Sequence, residues 1–216
     1  MTQTAVPVTA RRRAGRSVAG RYARLGIVLV CAASLVVGYL DVVLLHRVDP
    51  VADPVSDYVF YGPGEPLFVL AVLLMVLGGL ALTAGMTGVG MPRSRSVRVL
   101  FGLWAAGMLI CAVFPASRLA SDPTVSGELH RLGGAVFLTC LPLAGRQLAR
   151  SLLNHPQWTL SAGWIRRFAT ATVVTAVAFG LSQVAPLPQG LLERLALGAE
   201  AALLIMLAVT VRRAAR

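Results

Sequence analysis

The groups able to move protons are few in this chain, and they are not scattered. The densest stretch is HRVDPVADPVSDYVFYGPGEP, His46 to Pro66, which holds Asp49, Asp53, Asp57 and Glu65, with Asp41 a short way upstream. His130 and Arg131 open a later apolar run, and Glu193 and Glu200 belong to the last one. A histidine titrates near pH 6.5 and can act as a base or proton relay. A carboxyl group in apolar surroundings keeps its proton to higher pH and can serve as a general acid. Asp57, His130, Glu200 and Asp41 are therefore the candidate catalytic groups. Ser56, Tyr58, Asp53, Arg131 and Glu193 are the candidate substrate-binding groups beside them. Asp41, His46, Asp57, Glu193 and His130 can all sit at one depth on one face.

Metal chemistry fits these residues poorly. The spacing Asp49-x3-Asp53-x3-Asp57 is like the aspartate rows that hold Mg²⁺ and a diphosphate in membrane prenyltransferases. Here there is one row rather than two, and prolines interrupt it. The Asp-x-Asp-x-Asp-Gly pattern of a calcium loop is absent. Catalytic zinc needs three ligands and an open position; His46, His130 and Asp57 could supply them, but no His-x3-His spacing supports it. No metal and no cofactor is expected.

The elements that must position these groups are read from hydropathy. The chain has 216 residues, 56% hydrophobic and 13% charged, which is the composition of a multi-span membrane protein. Six apolar runs follow one another: Leu25–Leu45, Pro66–Gly88, Val97–Ala116, Glu128–Leu148, Phe168–Ala185 and Leu191–Val211. Each approaches the roughly 20 residues that a helix needs to cross the hydrocarbon core. Lipid offers no partner for unpaired backbone groups, so these runs are helices. The expected fold is all-α: a polytopic six-helix transmembrane bundle, with residues 25–216 as one domain, an outer loop at 46–65 and a basic arm at 1–24. That arm is expected to lie against anionic headgroups, with a disordered tip. The run from Leu25 is too long for a cleaved signal and reads as a retained span.

The net charge of +11 comes entirely from arginine. Those arginines punctuate the ends of apolar runs instead of forming one face, so nucleic acid is not the expected partner. Sixteen fall on one side of the predicted membrane; only Arg47, Arg118, Arg131 and Arg194 fall on the other. The positive-inside bias then places both termini in the cytoplasm. The acidic residues sort oppositely, apart from Glu200, which lies deep in the last span. A buried acid there is either functional or paired, and Ser34 or Thr139 could hydrogen-bond it.

Local signals fill in the detail. Asp53 before Pro54 suits a helix N-cap, so Pro54 to Tyr61 reads as a short interfacial helix with Val55, Tyr58 and Val59 turned to apolar surroundings. Asp122-Pro123 begins a turn, and Ser126 can cap the fourth span. Gly78, Gly79, Gly85, Gly88, Ala105, Ala106, Gly107, Gly133 and Gly134 read as helix contacts. Pro142 can kink the fourth span. Cys31, Cys111 and Cys140 match no disulfide framework or zinc motif and read as packing residues.

Pro54–Tyr58 (Pro-Val-Ser-Asp-Tyr), Phe114-Pro115 and Gly127-x2-His130 together resemble a family of small six-span bacterial proteins known as domain of unknown function 998. The resemblance covers about Leu25–Val211. It implies a six-helix bundle with an outward polar site around Asp57 and His130, and it carries no established reaction. Three functions stay open on the sequence. One is a membrane enzyme acting on a lipidic or isoprenoid substrate by acid–base chemistry, such as isoprenoid cyclisation with Asp57 or Glu200 as proton donor. Another is a non-enzymatic module assisting a partner complex. The third is a small proton-coupled transporter using Glu200.

Overall fold

A computed structural model describes residues 8–118 and 124–216. The tip of the arm and the Asp122-Pro123 turn lie outside the described residues. Six α-helices stand where the apolar runs place them: α1 Val8–Val43, α2 Gly64–Gly88, α3 Arg95–Val113, α4 Val125–Leu153, α5 Thr159–Ser182 and α6 Gln189–Ala214. Short 3-10 helices cover Val55–Phe60 and Pro156–Trp158, and there is no strand among the described residues. From Val8 onward the basic arm is helical and runs into the first span without a break.

Five of these helices are long and apolar enough to cross a membrane: residues 15–43 of α1, then α2, α3, α4 and α6. This is a multi-pass membrane protein. The fifth helix falls short of that measure. Arg166 and Arg167 stand near its start, and Thr170, Thr172 and Thr175 interrupt the apolar stretch that follows.

Each helix packs on the next in sequence, and α6 closes the ring against α1. Small residues allow the close approaches. A Cβ on Gly107 would come within 2.7 Å of the Gly133 carbonyl, and one on Gly133 within 2.8 Å of the Gly107 carbonyl. Gly78 faces Gly26 and Val30, Gly79 lies under the Trp104 ring, and Gly85 and Gly88 lie against Ala19. Two expected contacts are absent. Gly134 faces open space, and Ala106 is exposed on the outside of α3. Pro142 lies inside α4, which continues through it as one helix.

The helix ends show how the sequence closes them. Gly90, at φ +65°, ends α2: its N–H donates to the Thr87 carbonyl at 3.0 Å and the Met91 N–H to Met86 at 3.0 Å. This two-bond ending needs the left-handed conformation that glycine adopts freely. Ser94 caps α3 by accepting from Val97 N at 3.3 Å. Thr124, not Ser126, caps α4, accepting from Gly127 N at 3.0 Å. Ser126 instead donates to the Pro115 carbonyl at 2.9 Å, tying α4 back to the end of α3. The cap must lie outside the helix with extended backbone, and Ser126 is already inside it.

Candidate functional site

The loop after α1 is built on its own carboxylates. Asp49 Oδ1 accepts from Val51 N at 2.8 Å, and Asp53 Oδ2 accepts from Asp49 N at 2.8 Å. Asp53 therefore does not cap the 3-10 helix as its sequence position suggests. The capping position is Pro54, which makes no side-chain cap. The free Val55 N–H donates instead across the bundle to Glu193 Oε2 at 2.6 Å. The aspartate row is thus not a row in space, since Asp49 and Asp53 each hold a turn. Among the described residues, no three His, Cys, Asp or Glu side chains group closely enough to hold a metal.

A second clamp comes from a residue that the sequence marks only as a charge on the outer side. Arg194, in the second turn of α6, donates from Nε to Asp41 Oδ1 at 2.8 Å and from Nη2 to the Tyr58 hydroxyl at 2.6 Å. Its Nη1 reaches the carbonyls of Asp53 at 2.8 Å and Gly190 at 3.0 Å. The Tyr58 hydroxyl donates to Asp41, and the guanidinium lies 5.6 Å from the Tyr58 ring centre. Tyr58 is fully buried, in a small cluster with Leu40, Leu44, Val48 and Val55. Burial foremost, then the Asp41 hydrogen bond, pushes its phenol up to about 12, so it stays neutral. The first N–H groups of α6 are satisfied by the same loop: Gly190 N donates to Ala52 O at 3.3 Å and Leu191 N to Val51 O at 3.1 Å. Side chains would not fit at Gly190, against Asp53, or at Gly64, against Tyr58. Asp41 therefore anchors the loop through Arg194 and Tyr58. A guanidinium that forks to a carboxylate, a phenol and two carbonyls could not be read from a lone Arg near a helix start.

These clamps hold the loop over a cavity of about 1040 Å³ with walls from all six helices. Its apolar part is formed by residues such as Phe68, Val72, Met75, Met108, Leu138 and Phe179. Its polar part takes in Asp41, Asp53, Ser56, Asp57, His130, Arg131, Glu193 and Arg194. Nearly all the candidates drawn from the sequence thus meet at one place. His46 does not; it is exposed and outside the cavity. Arg131 marks the rim, paired with Glu128, with both side chains more than half exposed. Arg118 lies nearby, 5.7 Å from the Phe60 ring centre.

Asp57 and His130 are the two groups here whose chemistry is left free. No hydrogen-bond partner occupies the Asp57 carboxylate among the described residues. Burial first, then the charge of Asp53, raises it from 3.8 to about 6, against the opposing pull of Arg194. His130 Nδ1 lies 2.8 Å from the Phe114 carbonyl. A carbonyl can only accept, so Nδ1 carries the proton, and in the neutral ring Nε2 is a bare base. The ring is tilted against Phe68, centroids 6.4 Å apart, and Cys111 Sγ approaches the His130 carbonyl at 3.4 Å. The turn that sets Phe114 against His130 also explains Gly127. A side chain there would strike Ser117, whose hydroxyl accepts from Thr124 N at 3.1 Å.

Glu200 does not join this site. It is 3% exposed, and Trp104 Nε1 donates to its Oε2 at 3.2 Å, while Oε1 has no partner among the described residues. The expected partners Ser34 and Thr139 line the cavity, and Ser34 bonds its own helix at Val30. Seven residues bring Glu200 back to the face of Glu193, but roughly 10 Å deeper. At that depth Trp104, seated over Gly79, fills the space between α2, α3 and α6.

The family described as Protein of unknown function (DUF998) matches residues 28–210. No curated protein and no solved structure matches the chain. That match takes in the six-helix body with the loop and its clamps, so the chain belongs to the DUF998 family.

Proposed function

We propose, for this member of the DUF998 family, a membrane-embedded enzyme that takes a lipidic or isoprenoid amphiphile into the cavity and acts on its polar end by acid–base chemistry. One observation carries this reading: a single cavity of about 1040 Å³ joins apolar walls to a polar end holding Asp57 and His130. Sites for small molecules are mostly apolar with a few placed polar groups. Protonated Asp57 is the proton donor, and His130 Nε2 the acceptor. In a cyclisation, Asp57 would protonate an alkene or epoxide, and the final cation would lose its proton to His130, leaving the total proton count unchanged. Glu200, outside the cavity wall, takes no part in that step.

The bundle is read as six spans in a bacterial plasma membrane, with α5 crossing despite its polar start because α4 and α6 cover it on both sides. The arginine-rich end faces the cytoplasm with both termini, and the loop faces outward. The test is a mass-spectrometric inventory of lipids and metabolites from cells carrying the wild type, Asp57→Asn or no gene. A species that changes with the wild type alone identifies the substrate or product class. Identical inventories, with both proteins present in the membrane, refute the enzyme and leave the partner-module alternative.

A further inference from the structure

At the opposite end of the bundle, α1 and α6 enclose a second cleft, about 260 Å³ in volume. Arg16 and Arg24 of α1, Arg212 of α6 and Arg216 just past its end line it, with Ser17, Gly20 and Ala215. Arg16, Gly20 and Arg24 repeat every fourth residue of α1 and share one helix face. Gly20 lies next to the end of the chain: a Cβ there would stand 3.4 Å from the Ala215 methyl, an ordinary contact. None of the four guanidinium groups meets a carboxylate among the described residues. Every described Asp and Glu except Glu200 belongs to the loop end of the bundle.

Here two arginines of α1 meet Arg212 from the end of α6 and Arg216 just past it, and like charges brought together repel. Topology asks only that arginines lie on this side of the membrane. It does not ask that four of them converge on one cleft. Guanidinium groups bind phosphate oxygens through paired N–H donors, and basic pockets between transmembrane helices on the cytoplasmic side hold phospholipid headgroups. We propose that this cleft binds the phosphate of an acidic phospholipid from the adjoining leaflet, pinning the end of α6 to α1. All the cleft residues lie outside the stretch 28–210 matched by the family. The site is separate from the cavity at the loop end and does not depend on the reaction proposed there.

The test uses the full-length protein in neutral detergent, titrated with short-chain phosphatidylglycerol, phosphatidylcholine or inorganic phosphate and read by native mass spectrometry and melting temperature. Phosphatidylglycerol should bind about ten-fold more tightly than phosphatidylcholine. The pair Arg16→Gln and Arg212→Gln should abolish that preference. The pair Arg95→Gln and Arg150→Gln, exposed arginines of the same end outside the cleft, should keep it. Equal binding of the two lipids overturns the proposal. So does an equal loss in both variant pairs, which would indicate general surface charge. Stabilisation by inorganic phosphate to the same extent as by phosphatidylglycerol overturns the lipid source.

Discussion

Asp57→Asn should make the protein more stable and inactive. In the folded state the carboxyl is raised from 3.8 to about 6, chiefly by burial. The folded protein thus holds this proton more tightly than the unfolded chain does. The resulting stability is fully present below about pH 4 and is lost as pH rises through about 6. A shift of about two pKa units corresponds to an upper limit of about 3 kcal/mol. Asp57 is only partly buried, so solvent screening reduces that to about 1–1.5 kcal/mol. Asparagine is nearly isosteric and has no charge to desolvate. Its advantage should be absent at pH 4, grow between pH 4 and 6, and level off above. Melting temperatures of wild type and variant, taken in one detergent from pH 4 to 8, measure this directly. A pH-independent difference, or a variant less stable at pH 8, would refute the reasoning about Asp57. If the acid acts as proton donor, wild-type turnover should also fall as pH rises through about 6, and the variant should show none.

Replacing Arg194 with Met should leave the Asp41 carboxylate and Tyr58 hydroxyl without their shared donor. The side chains of Arg194 and Asp41 are 14% and 28% exposed, so the cost should be about 1–3 kcal/mol, read as a lower melting temperature and faster proteolysis within residues 49–61. His130→Asn keeps an amide able to donate to the Phe114 carbonyl but removes the base. Turnover should disappear with melting temperature within a few degrees of wild type, and a large loss of stability would make the ring structural. Trp104→Phe removes the donor to buried Glu200 and should cost about 1–3 kcal/mol in a thermal melt. In that variant product formation should continue, because Glu200 lies outside the cavity; its loss would bring Glu200 back into the chemistry. In a cysteine-free background, Cys at Leu153 and at Val184 should react with a membrane-impermeant maleimide from opposite sides if α5 spans. Reaction from one side would leave five spans.

Periodicity and length alone determined much of this protein. Long apolar runs in a bilayer can only be helices, because lipid supplies no hydrogen-bond partners to backbone; six α-helices cover the six runs, and five of them are long and apolar enough to cross. Glycines of α2, α3 and α4 announced where helices approach, since only a missing side chain permits it. A short helix after Pro54 was legible because proline presets the backbone of a first turn, although the Asp53 cap expected beside it does not form. Which carboxylate did what was not legible. Asp41, Asp53, Asp57 and Glu193 look alike in the sequence. The fold makes Asp41 a partner of Arg194, Asp53 a turn, Glu193 a cap for Val55, and leaves Asp57 free. The turn at Asp53 is local, but the roles of Asp41 and Glu193 depend on contacts between residues more than 130 positions apart, Arg194 with Asp41 and Glu193 with Val55. Glu200 shows the same limit. Helical spacing places it on the face of Glu193, but only packing reveals that an indole from α3 meets it there. A sequence carries its local periods along one helix; the rotation and depth at which two helices meet are set by all the side chains between them.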